Sequence, residues 1–244
     1  MNNQFLTGIE SLWLDVSGQR VHCLKSGVGP AVLLLHGGAS DARDWLGTMA
    51  ALSGRFTFYA PDMIGFGRSH RKEAGYYLSD FTDFVAELVD KLGIGRPAVV
   101  GHSFGGRVGL DLALRHPEKV GKLVLIDAAG LGKVTRFGSA LMTCFWALRQ
   151  VLRRPQPFPR FLTRDGDDPD WVCLAELPAL QAPTLLVWKH YDPYLPVAIA
   201  RRAAGRIPGA RLEVLPGYGH APHKEGTPAF AGLLADFLWE NSKL

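Results

Sequence analysis

Three cysteines in 244 residues, at positions 23, 144 and 173, are too few and too scattered to staple a fold. No two have the short spacing of a metal-ligand pair, so free thiols in a reducing compartment are expected. No stretch approaches the ~20 apolar residues that a membrane-spanning helix needs. The start, Met1-Asn2-Asn3-Gln4-Phe5, lacks the basic patch and apolar core of a secretory signal, and a cytoplasmic location is expected. Charge of one sign is also scarce: the net charge is only +4. The Lys and Arg residues form no tract interleaved with aromatics, which excludes nucleic acid as the expected partner. A glycine-rich phosphate loop and histidines at metal-ligand spacing are missing too, so neither a cofactor nor a metal is expected.

What the chain does have is apolar residues, 47% against 20% charged, the balance of an ordinary globular protein long enough for one large α/β domain or two small ones. Short apolar runs alternate with helical patterns. The runs at 20–25, 31–36, 57–60, 97–102, 123–127, 184–188 and 211–215 predict strands. Helical periodicity falls at 78–92, 104–116, 196–207 and 227–241. Near-continuous apolar strands separated by helices predict a parallel sheet covered on both faces, with the first strand or two antiparallel at one edge.

One segment breaks the alternation. Residues 129–180 contain no clear strand–helix unit. They hold the apolar run 137–152, prolines at 155, 157 and 159, and an acidic patch at 165–170. Its Phe137, Phe145, Trp146, Phe158, Phe161 and Trp171 are too apolar for a solvated loop. The expected division is a core of 1–128 and 181–244 with 129–180 inserted as a lid over the C-terminal strand ends, where open α/β sheets bind ligands.

The chemistry centres on Gly101-His102-Ser103-Phe104-Gly105-Gly106. This G-x-S-x-G spacing sits where the run 98–100 hands over to a helix. A serine on so sharp a turn needs small neighbours, and the turn lifts its hydroxyl above the sheet. The N–H of Phe104 then lies at a helix N-terminus, facing any charge that develops on a substrate carbonyl. A serine hydroxyl needs a base, and His220, after the last strand and before the last helix, is placed to supply it. A carboxylate must orient that imidazole. Asp192, beyond the strand at 184–188, completes the chain order Ser, Asp, His; Asp127, at the end of the preceding strand, is its rival. Gly38, in His36-Gly37-Gly38-Ala39, is the expected second oxyanion donor, with Ala39 the alternative. The substrate pocket is expected to draw on Gly37, Ala39, His102, Trp146 and Ala221.

With these motifs in hand, the chain resembles the α/β-hydrolase fold superfamily over nearly its whole length. The matching stretches are His36-Gly37-Gly38, Pro61–Ser69, Gly101–Gly106, Asp192 and His220. The resemblance implies a mostly parallel eight-stranded sheet, helices on both faces and a short lid. In relatives the stretch at 62–69 is a tight turn supporting the floor of the site. Haloalkane dehalogenases and epoxide hydrolases of this fold use an aspartate nucleophile, which Ser103 argues against. Two serine classes remain: carboxylesterases, the leading expectation, and carbon–carbon hydrolases of ring-fission diketones. The latter commonly carry a tryptophan after the histidine, where this chain has Ala221. A non-catalytic small-molecule receptor on the same fold is the rival from another class.

Two further departures stand out. Lys189 follows Trp188 where relatives usually have glycine, bringing a cation near the turn that aims Asp192. The lid is short, which implies a more open pocket or a lid completed by a second copy in a homodimer. Between Leu131 and Arg164 it also carries seven Lys or Arg residues and no acid. The preferred explanation is an apolar face covering the pocket with solvated arginines; resting on an anionic membrane is the alternative. The expected partner is a small-molecule ester or related carbonyl compound.

Overall fold

A computed structural model describes residues 8–154, 156, 158–161, 173–224 and 228–240. Trp171, Arg164 and the acidic patch at 165–170 lie outside the described residues. Eight strands form one sheet: β1 (Ile9–Val16), β2 (Gln19–Ser26), β3 (Ala31–Leu35), β4 (Thr57–Pro61), β5 (Ala98–His102), β6 (Lys122–Ile126), β7 (Thr184–Tyr191) and β8 (Arg211–Tyr218). Their spatial order is β1-β2-β4-β3-β5-β6-β7-β8. The pairs β1–β2 and β2–β4 are antiparallel, and every other pair is parallel. The helices are α1 (Leu46–Leu52), α2 (Leu78–Leu92), α3 (Phe104–Arg115), α4 (Arg136–Val151), α5 (Val197–Ala204) and α6 (Pro228–Trp239).

Alternation along the central strands divides the core into two layers. Leu33 and Leu35 of β3, Val99 of β5, and Leu123 and Leu125 of β6 pack with residues of α2, α3 and α5. Their neighbours Val32, Leu34, Val100, Val124 and Ile126 pack on the other face with Met49 of α1 and Phe230 and Leu234 of α6. Both faces are covered, so period-2 residues of either phase must be apolar. Each fully buried Leu or Val contributes about 1.5–3 kcal/mol. Helix α2 shows how local chemistry sets the bounds: the Tyr77 N–H donates to Asp80 Oδ2 at 2.8 Å at its start, and Gly93, at φ +63°, ends it.

Three elements were not among the expected ones: β1, α1 and α4. β1 is an edge strand, mostly half-buried or exposed, with no continuous apolar run to announce it. α1 has only seven residues, too few for a clear helical period. β7 and β8 both run beyond their expected ends, to Tyr191 and Tyr218, with a bulge between Lys189 and Tyr191.

The segment between β6 and β7 departs most from expectation. Its helix α4 does not turn its apolar side chains onto the body of the protein: only Gly138 is buried. Phe137, Phe145 and Trp146 are exposed by 63%, 46% and 45%. The first turn of α4 is tied to the loop after β7. Thr135 caps the helix by accepting from Gly138 N–H at 2.9 Å, and its own N–H donates to Tyr194 O at 2.9 Å. Further along, Phe158 and Phe161 do fold inward against the core.

Candidate active site

Ser103 sits between the end of β5 and the first turn of α3 with φ +50° and ψ −111°, a conformation disfavoured for any residue with a β-carbon. The surroundings hold it there. Its N–H donates to Ile126 O at 2.9 Å, and its carbonyl accepts from Ala129 N–H at 3.0 Å and Arg107 N–H at 3.1 Å. The flanking glycines are required by contact. A β-carbon on Gly101 would lie 2.4 Å from Gly105 O, and one on Gly105 would lie 2.3 Å from Leu35 O. Gly101, His102, Phe104 and Gly105 are all buried, whereas Ser103 keeps partial exposure. The serine is thus the reachable residue of its turn.

His220 and Asp192 come to this serine from loops after β8 and β7. His220 Nε2 lies 3.0 Å from Ser103 Oγ, and its Nδ1 lies 2.6 Å from Asp192 Oδ2. The Asp192 side chain is wholly buried, while that of His220 is 20% exposed. The other oxygen of Asp192 accepts from the N–H groups of Tyr194 at 2.7 Å and Leu195 at 3.1 Å. Those two bonds fix the carboxylate, and the carboxylate fixes the imidazole with Nδ1 protonated and Nε2 free to accept.

The rival, Asp127, lies in the same cluster, but its Oδ1 accepts from Lys189 N–H at 3.0 Å, and the carboxylate that bonds His220 Nδ1 is that of Asp192. Lys189 points its ammonium at the backbone of the neighbouring strand β8. It is the last ladder residue before the bulge, it is buried, and its ammonium donates to Pro216 O at 3.1 Å.

The turn after β3 faces the elbow. A β-carbon on Gly37 would lie 2.6 Å from His102 Nδ1 and 3.5 Å from Ser103 Cβ, so no larger residue fits there. One on Gly38 would come 3.9 Å from Phe104 Cβ, which puts Gly38 across from the N-terminus of α3. Ala39 follows with φ +59°. The loop is held by buried His36, whose Nδ1 donates to Gly37 O at 2.8 Å while its Nε2 accepts from Met63 N–H at 3.0 Å. Burial holds His36 below the usual histidine range, in keeping with this neutral form. Met63 belongs to the stretch at 61–69, and Asp62 organises that turn by accepting from Ala42 N–H and Arg68 N–H, each at 2.8 Å. Its Oδ2 also lies 3.0 Å from His22 Nδ1. Through these bonds the stretch braces the loop after β3.

The remaining pocket residues divide. His102 is buried and bonds the His220 carbonyl through Nε2 at 2.5 Å. Burial, reinforced by His223 and His220, pushes it well below the usual histidine range, so it is a neutral donor. Ala221 is half-buried, and its carbonyl closes the next turn by accepting from Lys224 N–H at 3.0 Å. Trp146 is a correction: it is exposed on α4, and no contact joins it to these residues among the described ones.

Three neighbours were missed. The Tyr194 ring lies 5.0 Å from that of His220. Phe161 lies 5.2 Å from Phe104 and 5.7 Å from Phe81. His223 is fully buried, 4.4 Å from the rings of both His102 and Trp45, and burial lowers it to about 3. Only Tyr194 had a sequence signal, its place two residues after Asp192.

Among the described residues, two clusters bring metal-ligand atoms within 4.8 Å of one another: Asp44, His102 and His223, and Asp127, Asp192 and His220. Neither favours a cation. Asp44 is already paired with the Lys224 ammonium at 2.8 Å, and Asp192 is committed to His220 and two N–H groups.

The family model described as the alpha/beta hydrolase fold matches residues 30–168, more than half of the chain. The chain belongs to the α/β-hydrolase family. The 2-hydroxymuconate semialdehyde hydrolase of Pseudomonas sp. (strain CF600) is 30% identical, over 92% of each chain. Among solved structures, the meta-cleavage product hydrolase of Pseudomonas fluorescens IP01 superposes with a TM-score of 0.77 at 25% identity, covering 94% of this chain and 97% of that one. A bacterial membrane phospholipase A superposes with a TM-score of 0.79 at 25% identity, covering 96% and 86%. These family relationships make the protein a hydrolase. Among the described residues no helix is long and apolar enough to cross a membrane.

Proposed function

We propose that the protein is a serine hydrolase that cleaves carboxylic esters through an acyl-enzyme. The observation that carries this is the unbroken line Asp192–His220–Ser103, with links of 2.6 and 3.0 Å. Ser103 Oγ attacks the ester carbonyl as His220 Nε2 takes its proton, and Asp192 stabilises the imidazolium that results. The tetrahedral oxyanion lies between the N–H groups of Phe104 and Gly38. Phe104 N–H opens α3, so no acceptor within the helix competes for it. Each such donor typically accounts for about 10²–10³ in rate. Collapse expels the alcohol, which leaves with the proton from His220. Water then adds to the acyl-enzyme, giving its proton to His220, and the second collapse returns the proton to Ser103 and frees the acid.

A second reading, hydrolysis of a carbon–carbon bond in a ring-fission diketone, is favoured by the names of the hydrolase relatives. Against it stands Ala221 in the place where a tryptophan is common in that class. Fluorophosphonate labelling tests the nucleophile common to both, with modification expected at Ser103 and lost in Ser103→Ala. Parallel assays on p-nitrophenyl esters and on a ring-fission diketone then separate the two. Faster turnover of the diketone would replace the ester reading with the second.

A further inference from the structure

Helix α4 exposes more apolar surface than a helix in water should. Phe137, Leu141, Cys144, Leu148 and Val151 recur at i, i+4, i+7, i+11 and i+14, and all five are exposed. Phe145 and Trp146 widen the stripe. Around it stand Lys133, Arg136, Arg149, Arg153, Arg154 and Arg160, with no acid anywhere from Leu131 to Arg164. Lys133, Arg136, Arg153, Arg154 and Arg160 have no carboxylate partner among the described residues. An apolar helix with aromatic residues and a basic rim has the make-up of a helix that lies in a membrane interface.

We infer that α4 and its basic flanks dock on an anionic lipid bilayer surface. Charge decides between this occupant and a second copy of the chain. Two α4 helices related by a two-fold axis would set two acid-free runs from Leu131 to Arg164 against each other and bring their cations together, whereas anionic headgroups satisfy the five that have no carboxylate partner among the described residues. The helix also stands beside the candidate site. Thr135 Oγ1 donates to Pro193 O at 2.5 Å, and a β-carbon on Gly138 would meet the Tyr194 ring at 2.9 Å; that ring lies 5.0 Å from His220. Docking therefore sets the rim near His220 against the bilayer. On the proposed serine hydrolase reading, the ester would then arrive from the lipid phase.

The test is co-sedimentation of the full chain with large vesicles, either of phosphatidylcholine alone or of an equimolar mixture with phosphatidylglycerol, at low and physiological salt. Binding to the anionic vesicles is expected, weaker at the higher salt. Arg136→Ala/Arg153→Ala/Arg154→Ala should lower partitioning on the order of 100-fold. Leu141→Asp/Leu148→Asp should abolish it with an unchanged melting curve, since neither side chain is buried. Ser103→Ala should bind like the wild type, so loss of turnover leaves the docking claim standing. Absence of binding at low salt, equal binding to neutral vesicles, or a wild-type dimer that Leu141→Asp/Leu148→Asp dissociates without any lipid binding would each overturn it.

Discussion

Asp192→Asn keeps the shape of the buried side chain and changes only what it can accept. Its oxygen can still receive the N–H groups of Tyr194 and Leu195, which now hold the carboxylate at 2.7 and 3.1 Å. That choice turns the new NH₂ group toward His220 Nδ1, where the carboxylate oxygen stood at 2.6 Å. An NH₂ can only donate, so Nδ1 must accept and the imidazole proton moves to Nε2. Nε2 then carries a hydrogen toward Ser103 Oγ, 3.0 Å away, and cannot take the serine's proton. A base locked in the wrong tautomer costs turnover on the order of 10⁴-fold, equivalent to about 5.5 kcal/mol in the barrier. Stability should suffer far less, about 1–2 kcal/mol, as two charge-assisted bonds become neutral ones. The assay is kcat on p-nitrophenyl butyrate beside a thermal melt, with Asp127→Asn as the comparison. A loss in Asp192→Asn under tenfold, or a larger loss in Asp127→Asn, would refute the orientation argument.

Two further outcomes concern the frame that holds the site. The buried imidazole of His223 stays neutral down to about 3, whereas an unfolded histidine gains its proton near ~6.5. Below that pH the unfolded state binds the extra proton, so stability falls with acid at about 1.4 kcal/mol per pH unit for this group, through the window down to its folded value. His223→Phe should flatten the acid limb of melting temperature against pH between neutrality and pH ~4, and an unchanged slope would contradict the assignment. Gly105→Ala should destabilise the protein by about 3 kcal/mol or more, because its methyl would meet the Leu35 carbonyl, a central-strand atom that cannot step aside. A denaturant midpoint close to that of the wild type would contradict the contact.

The sheet was legible because its inner strands are buried on both faces. Val32, Leu33, Leu34 and Leu35 leave no other interpretation, and the small residues around Ser103 announce the turn that follows β5. The site was legible for a related reason: Ser103, Asp192, His220 and Gly38 each follow the C-terminal end of a strand, so finding the strands nearly fixes which loops meet. β1 escaped because an exposed edge needs no continuous apolar run, and α1 because seven residues carry too little periodicity. The direction of α4 escaped for a different reason. Its apolar residues state that something covers them, and sequence pattern alone does not distinguish the protein's own body from another surface. Phe161 reaches Phe104 only through the packing of a long connection, which no local pattern reports. His223 carries no local signal of its burial, because only the fold sets it between Trp45 and His102.

The central claim is that Ser103 is the nucleophile, and the most direct test is turnover of p-nitrophenyl acetate, butyrate and octanoate by the wild type and by Ser103→Ala. The arrangement of Ser103, His220 and Asp192 predicts turnover in the wild type, lost in Ser103→Ala without a change in melting temperature. Undiminished turnover in Ser103→Ala would contradict it.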